Sequence, residues 1–380
     1  MPRLPPFIRR VILRTILLAI PVCAGWFAWT AWLKPWLFPP SPLVLTPQLV
    51  LEKLEAKSLY FNGIAAPWLA ANRQDLLTAE DKDPASARHR GFIQAPQSPK
   101  LFRQLDRQYR FDTLLLVGDP SNYQRLVDHL LEPEPDKRDF RLVYLDHWAL
   151  VFKRGAEREW EPADADALKE RMRTLRSEDR ALFFAKAASK MLALRKVGPA
   201  KSWLDEALQA DGNSVETLAT LARYHMTLGK WKEAESFADK ALELDENSIS
   251  ALAVKVVTMR ATDHKIDALK LSVKLNALLP EDPMRLWQHA QIAHEANDYG
   301  QEITALTRLI ALAEEDERPA GDYHFRLGEA HVFMAMTDAT HTAGAVEHLK
   351  KALLDPALPP EKRKFAEERL ATIRTRTGLK

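Results

Sequence analysis

From about residue 181 onward, apolar residues recur along the chain at intervals of three and four. In the stretch 227–247, Trp231, Ala234, Ala238, Ala241, Leu242 and Leu244 fall near one stripe, while acids and lysines fill the opposite side, which predicts an amphipathic helix. The pattern then returns at a fixed interval. Sliding the chain against itself by 34 residues aligns Ala200, Ala234 and Ala268 in one column and Ala188, Ala222, Val256 and Ala290 in a second. A third column holds Ala207, Ala241, Leu275 and Leu309. Small residues at a constant spacing predict helical hairpins that cross closely and stack, with larger side chains such as Leu218, Leu221 and Trp231 filling the space between them.

Upstream the period changes. The run Thr113–Val117 is short, continuously apolar and closed by Gly118, as a buried strand would be. Residues 119–131 follow as a helix, with Asp119 as its cap and Pro120 at its first position. Two strand-like runs, 140–146 and 148–154, have almost nothing between them and predict a tight hairpin at Asp146-His147. With a first strand at 58–64 and a helix at 98–109, residues 48–155 read as a small α/β domain; the polar stretch 78–97 reads as a long loop.

The C-terminal pattern resembles the tetratricopeptide repeat (TPR) family. Residues 215–248 carry it best, through Leu218, Leu221, Ala222, His225 (where Tyr is usual), Gly229, Trp231, Ala234, Ala238 and Ala241. Neighbouring units fall at 181–214, 249–282 and 283–316, and a fifth, less regular one opens at Leu327-Gly328 and continues at 342–356. Glu302 stands where the pattern expects a small residue. About five hairpins thus occupy 181–356, behind a linker or helix at 156–180 and ahead of a polar capping helix and tail at 357–380. The resemblance implies a concave groove lined by the first helix of each hairpin. Carried over position by position, it gives Glu216, Ala219, Arg223, Met226 and Thr227, then Ser250, Ala253, Val257, Arg260 and Ala261, then Met284, Trp287, Gln291, His294 and Glu295. Of these, Arg223, Met226, Arg260, Trp287, Gln291 and His294 are the candidate partner-binding residues. Alanines at 185, 219 and 253 replace the first lysine of the clamp with which some relatives hold C-terminal carboxylates.

The N-terminus sets the expected compartment. Nineteen uncharged residues run from Thr15 to Leu33, close to the roughly 20 that span a bilayer as a helix. Four arginines (Arg3, Arg9, Arg10 and Arg14) precede them, and only Lys34 follows before Glu52. That asymmetry predicts a cytoplasmic segment at 1–14, a single transmembrane helix at 15–34 and everything later outside the cytoplasm, in the periplasm of a bacterial envelope. Trp26, Trp29, Trp32 and Trp36 crowd the exit end, where indoles favour the membrane interface, and a proline-rich spacer follows at 35–47. A cleaved signal peptide shares the basic-then-apolar order; the length of the run and the lack of a small-x-small site favour an uncleaved anchor.

Composition removes several function classes. In 380 residues, 54 basic side chains face 52 acidic ones, so no field for nucleic acid arises. A lone cysteine, Cys23, excludes an internal disulfide or a thiolate metal cluster. No metal, cofactor or catalytic motif stands out. Asp119 near Ser121 has no glycine-rich cradle; Asp146 and His147 point to opposite faces as strand neighbours; the 87–91 basic cluster reads as solvated loop; the spacings His289–His294 and His324–His331 lack the i, i+4 interval of helical metal ligands.

The segment 101–154 is loosely similar to the soluble extracytoplasmic domain of some bacterial multispanning glycosyltransferases. Their catalytic loops belong to a multispanning part that a single span does not supply, so the similarity implies a domain without transferase activity. The expected fold is therefore α+β and multi-domain: a transmembrane helix, a small α/β domain and an all-α TPR solenoid. The expected function is a non-enzymatic, membrane-anchored scaffold that binds a partner protein of an envelope complex. An accessory subunit of glycan assembly, with a carbohydrate-recognising α/β domain, is the alternative. An exposed aromatic beside convergent amides in the α/β domain would favour the second; exposed apolar surface in the groove would favour the first. Because the arginines precede the apolar run, a reporter active only outside the cytoplasm should function when fused after Lys380; activity only of a cytoplasmic reporter would reverse the orientation.

Overall fold

The computed structural model describes residues 56–377, apart from 84–85, 135–136, 162–163, 165–168, 171 and 316–318. The arginine-rich N-terminus, the expected transmembrane helix with its four tryptophans and the proline-rich spacer lie outside the described residues. Among the described residues no helix is long and apolar enough to cross a membrane. The described residues from Lys57 onward form one compact unit, in which a small α/β layer packs against a helical array.

The sheet has four strands: β1 (Leu59–Phe61), β2 (Thr113–Val117), β3 (Phe140–Leu145) and β4 (Ala149–Arg154), in the order β1-β2-β4-β3. β1 runs parallel to β2; β4 is antiparallel to both β2 and β3. Every residue of β2 is buried, which is why its sequence is apolar without alternation. At the β3–β4 turn the buried Asp146 carboxylate accepts from the Trp148 and Ala149 amides (2.8 and 2.7 Å) and from the Tyr144 hydroxyl (2.8 Å), so its polarity is spent on the turn. Short helices α1 (Ala66–Asn72) and α2 (Ala87–Gln94) and the longer α3 (Pro99–Tyr109) precede β2. Tyr60, Phe92, Phe102 and Phe111 form an aromatic core between these elements, with neighbouring ring centres 4.9–6.4 Å apart.

Two local expectations need correction. The stretch 78–97 is largely helical rather than a loop: Thr78 and Asp81 form a reciprocal capping box on a one-turn helix, and Ser86 caps α2. Arg88, expected in solvent, is buried, bonded to the Asp81 carboxylate at 2.7 Å and stacked 4.2 Å from the Tyr109 ring. After β2, Pro120–Asn122 form a 3₁₀ turn and the α-helix α4 begins only at Gln124, running to Leu131. Asp119 therefore does not cap α4, and it turns toward the array instead.

The array is built from five helical hairpins and a final helix. The pairs are α5 (Ser177–Ala193) with α6 (Val197–Ala210), α7 (Val215–Thr227) with α8 (Trp231–Leu244), α9 (Ile249–Ala261) with α10 (Lys265–Leu278), α11 (Pro283–Glu295) with α12 (Tyr299–Glu315), and α13 (Gly321–Met334) with α14 (His341–Leu354); α15 (Pro360–Thr377) follows. The fifth unit thus opens at Gly321, ahead of Leu327-Gly328. Ala200, Ala234 and Ala268 are fully buried where the helices cross, as are Ala207 and Ala241 in their column. His225, in the usual Tyr position, stacks on Phe237 at 5.2 Å.

The 34-residue register is written in the backbone as well. The turn within each of the first four hairpins passes through a left-handed residue, in order Arg195, Gly229, Asp263 and Asn297. At each one its own amide donates to the carbonyl three residues back (2.9–3.2 Å), and the next amide donates five residues back (2.8–3.0 Å). These two bonds define a Schellman closure, which satisfies carbonyls that the helix end leaves free. Ser214, Ser248 and Asp282, again 34 apart, cap α7, α9 and α11 with side-chain oxygens. The fifth hairpin leaves the scheme: its turn has no left-handed residue among those described. There the α13 start is capped by Asp355, whose carboxylate accepts from the Gly321 amide at 2.8 Å.

Only one of the four left-handed positions is a glycine, and its absent Cβ would meet nothing within 4 Å, so the conformation alone decides the effect of substitution there. Gly229→Ala should lower stability by about 1 kcal/mol, and Arg195→Gly should raise it by up to about 1 kcal/mol. Thermal unfolding of the two variants checks this, and equal effects of both substitutions would contradict it.

Candidate functional site

The helices that the TPR resemblance assigns to the groove, the first of each hairpin, meet two environments. On α5 and α7 they meet the α/β layer of the same chain. Lys190 of α5 is buried, and its ammonium donates to the carbonyls of Gly118 (3.1 Å) and His147 (2.9 Å), one beyond the end of β2 and one in the β3–β4 turn. Phe183, about two turns earlier, packs on the His147 ring at 5.1 Å. Gln124 of α4 donates to the Ala193 carbonyl at 2.9 Å. Arg223 of α7 donates to the Ser189 hydroxyl (2.7 Å) and lies 3.4 Å from the Asp119 carboxylate.

Burial dominates the electrostatics of this seam. It lowers Lys190 to about 8, against the opposing pull of Asp146 and Asp119, and lowers His147 to about 4. Lys190 thus keeps most of its charge at neutral pH, shared between two carbonyl dipoles, while His147 is neutral. His147 Nδ1 lies 3.9 Å from the Asp146 carboxylate within the turn, so the two do not point to opposite faces as strand neighbours would; the geometry makes a joint between layers. The Asp119 region, tested in the sequence as an anion site, is part of this joint.

Farther along, two of the candidate groove residues, Arg260 and Trp287, are tied between successive hairpins. Arg260 bonds Glu295 across hairpins through Nε (2.9 Å) and Nη2 (2.5 Å), and that contact is the first cause of the lowered Glu295 carboxylate. Trp287 is half-buried, 5.6 Å from the Tyr323 ring and against the cluster of Leu286, Ala290 and Leu306. Gln291 and Met226 are half-buried, Met226 beside Ala222, Ala234 and Val254. Two positions carried over from the family are not groove surface: Ala219 and Ala253 are buried between helices.

His294 leads to a feature that the sequence marked only as an irregularity. Glu302 occupies the small-residue column and its carboxylate is fully buried, yet it is paired on both oxygens: Arg326 Nε donates to Oε1 at 2.7 Å and His294 Nδ1 lies 2.9 Å from Oε2. Nearby, burial raises Glu329, the partner of Arg369 at 3.4 Å on the last helix. A chain of charges therefore joins the fourth hairpin, the fifth and the cap.

Neither discriminating surface occurs where it was expected. In the α/β layer the half-buried Trp68 and Trp148 meet at 5.1 Å, but the Asn62 side-chain amide is consumed by bonds to Val117 (2.8 and 2.9 Å). Several exposed apolar side chains of the array, Leu244 on α8, Ile266, Val273 and Leu278 on α10 and Leu354 on α14, sit on second helices; Ile249, at the start of α9, is on a first helix.

No protein-family model matches the chain, and no curated protein does. Among solved structures it is similar to YrrB, a TPR protein with an unusual peptide-binding site, at 16% identity over 54% of this chain and 99% of that one, with a TM-score of 0.43. It is also similar to MamA residues 41 to the end from Desulfovibrio magneticus RS-1 (22% identity, 46% and 94% coverage, TM-score 0.37) and to a MamA of AMB-1 (15%, 49% and 97%, 0.39). Likeness at these values carries no argument about what this chain binds.

The seam makes a contrast that mutation reads directly. Lys190→Ala takes the ammonium donor from the His147 carbonyl and leaves the Gly118 carbonyl with only the Tyr123 hydroxyl at 3.3 Å, and should lower stability by about 1–3 kcal/mol. Arg195→Ala removes only an exposed pair with Asp128 while keeping the Cβ at the left-handed position, and should change stability by under about 1 kcal/mol. Chemical denaturation of both variants measures the difference; equal losses would mean that Lys190 is not the joint.

Proposed function

We propose that the protein is a scaffold without enzymatic activity, anchored in the cytoplasmic membrane by its N-terminal apolar run, whose repeat array binds a partner protein of an envelope complex outside the cytoplasm. One observation supports this reading above the others. The α/β layer's ties fall on α5 and α7, while α9 and α11 present Arg260, Trp287, Gln291 and His294, half-exposed, with Arg260 and Trp287 held by contacts between hairpins and His294 by Glu302 of its own hairpin. Side chains fixed in this way lose little freedom on binding, and an aromatic beside guanidinium and amide groups suits an extended peptide or a helix of a partner. The α/β layer acts in this reading as an internal plug that sets where the open groove begins. The carbohydrate alternative has less support, since the Asn62 amide is already bonded within the sheet.

The test uses the intact protein in mild detergent. A photo-crosslinking residue at Gln291 should capture the protein that co-purifies, and one at Lys232, on the exposed side of α8, should not. Trp287→Ala with Arg260→Ala should weaken that association by more than about 2 kcal/mol while helicity persists. Capture from Lys232 alone, or full recovery of the partner by a folded double variant, would place the binding surface elsewhere.

A further inference from the structure

The fifth hairpin holds four histidines in one column. His324 and His331 stand seven residues apart on α13, and His341 and His348 seven apart on α14, so antiparallel packing sets them opposite each other in pairs. Nδ1 of His324 lies 3.1 Å from Nδ1 of His348, and Nδ1 of His331 lies 3.0 Å from Nδ1 of His341. The His331 and His348 rings stack with centres 5.7 Å apart and planes 9° from parallel, joining the pairs.

A nitrogen–nitrogen contact of this length is a hydrogen bond only when one ring carries its proton on Nδ1 and the other presents a lone pair there. Each pair survives one added proton, which charges the donor ring at its outer nitrogen. A second one puts N–H against N–H, and charge against charge, at about 3 Å. Retreat is restricted. The His331 ring lies on Gly344, where a Cβ would come within 2.9–3.0 Å of it, and Leu349 of α14 is locked against Ala366 and Leu370 of α15.

We propose that this histidine column is an acid-sensitive clasp: double protonation of either pair drives α13 and α14 apart and loosens the end of the array, including the capping helix. The inference rests on the hairpin alone and is independent of the partner proposed above. The charges around the column do not cancel the effect. Glu347 faces His331, His324 and His348, but Lys351 on the same helix holds its carboxylate at 2.8 Å and itself faces His324 and His348. Glu314 of α12 and Asp355 beyond α14 face His324, and Asp338, bonded to Thr340, is the acid near His341. Burial is the first cause that lowers His331 to about 4, with His348 and His341 adding repulsion, and burial also lowers His324 and His348.

An imidazole that titrates lower in the closed hairpin than in the open one takes its proton more readily when open. Stability is therefore complete above pH 6.5, falls as pH drops from there to about 4, and is steady below. For His331 alone, these two values make opening about thirtyfold more favourable at pH 5 than at pH 7.5.

Hydrogen exchange of the intact protein, corrected for the intrinsic effect of pH, provides the test. Amides of α13–α15 should lose protection by about thirtyfold or more at pH 5 relative to pH 7.5, while those of α8 and α9 change little. His331→Asn with His348→Asn leaves one titratable ring in each pair, takes away the buried ring on which the thirtyfold figure rests, and should remove most of that loss. Unchanged protection of α13–α15 in the wild type, an equal loss along the whole array, or a variant that keeps the full pH response would each overturn the proposal. Should the variant fail to fold, the ring proton resonances of the wild type decide: a depressed second step in each pair supports the clasp, and four independent titrations near 6.5 refute it.

Discussion

Close approach of helices is the constraint on which the array depends. Ala200, Ala234 and Ala268 are buried completely because nothing larger fits where the hairpins cross, and Ala188, Ala222 and Ala290 repeat the condition one helix earlier. Once the axes are that close, the turn between helices has little freedom. Each turn must reverse the chain within a few residues while satisfying the last carbonyls, and a left-handed residue followed by two backbone bonds does so. This explains why Arg195, Asp263 and Asn297 adopt a conformation that their side chains disfavour: packing of the flanking helices outweighs a local cost of about 1 kcal/mol.

The same geometry presents one helix of every hairpin to a common side, and the chain uses the two ends of that side differently. At the N-terminal end, Lys190 and Arg223 turn it into an internal joint with the sheet. Burial of a lysine is costly, so an ammonium placed against two carbonyls commits the layers to one arrangement. Beyond that joint, contacts such as Arg260–Glu295 and Trp287–Tyr323 stiffen the surface without covering it.

Much of this was legible in the sequence because repetition averages out local ambiguity. The helices of the array, the buried β2 run and the turn at Asp146 follow from periodicity and from turn chemistry. What was not legible has physical reasons. Residues 78–97 looked like a loop because short helices capped by Thr78 and Ser86 have too few turns to display a period. Arg88 looked solvated because its partners, Asp81 and Tyr109, lie 7 and 21 residues away and only the fold unites them. Arg223 read as groove surface for the same reason: its tie to Asp119 spans 104 residues. Of the four paired histidines only His324 and His331 stood out, at a spacing unlike that of helical metal ligands, and their pairing with His348 and His341 depends on two helices being antiparallel.

Glu302 has a consequence for how such a chain can change its length. The second and third hairpins meet through alanine columns, and duplicating one of them would present the same small surface to the next copy. The fourth cannot be copied so freely. Its buried carboxylate demands a guanidinium at the position of Arg326 and an imidazole at that of His294, and without the arginine an added copy would bury a carboxylate short of a partner. The interface behaves as a keyed coupling in a run of interchangeable links: it fixes which hairpin comes last but one, and with it the distance between the α/β joint and the end of the array.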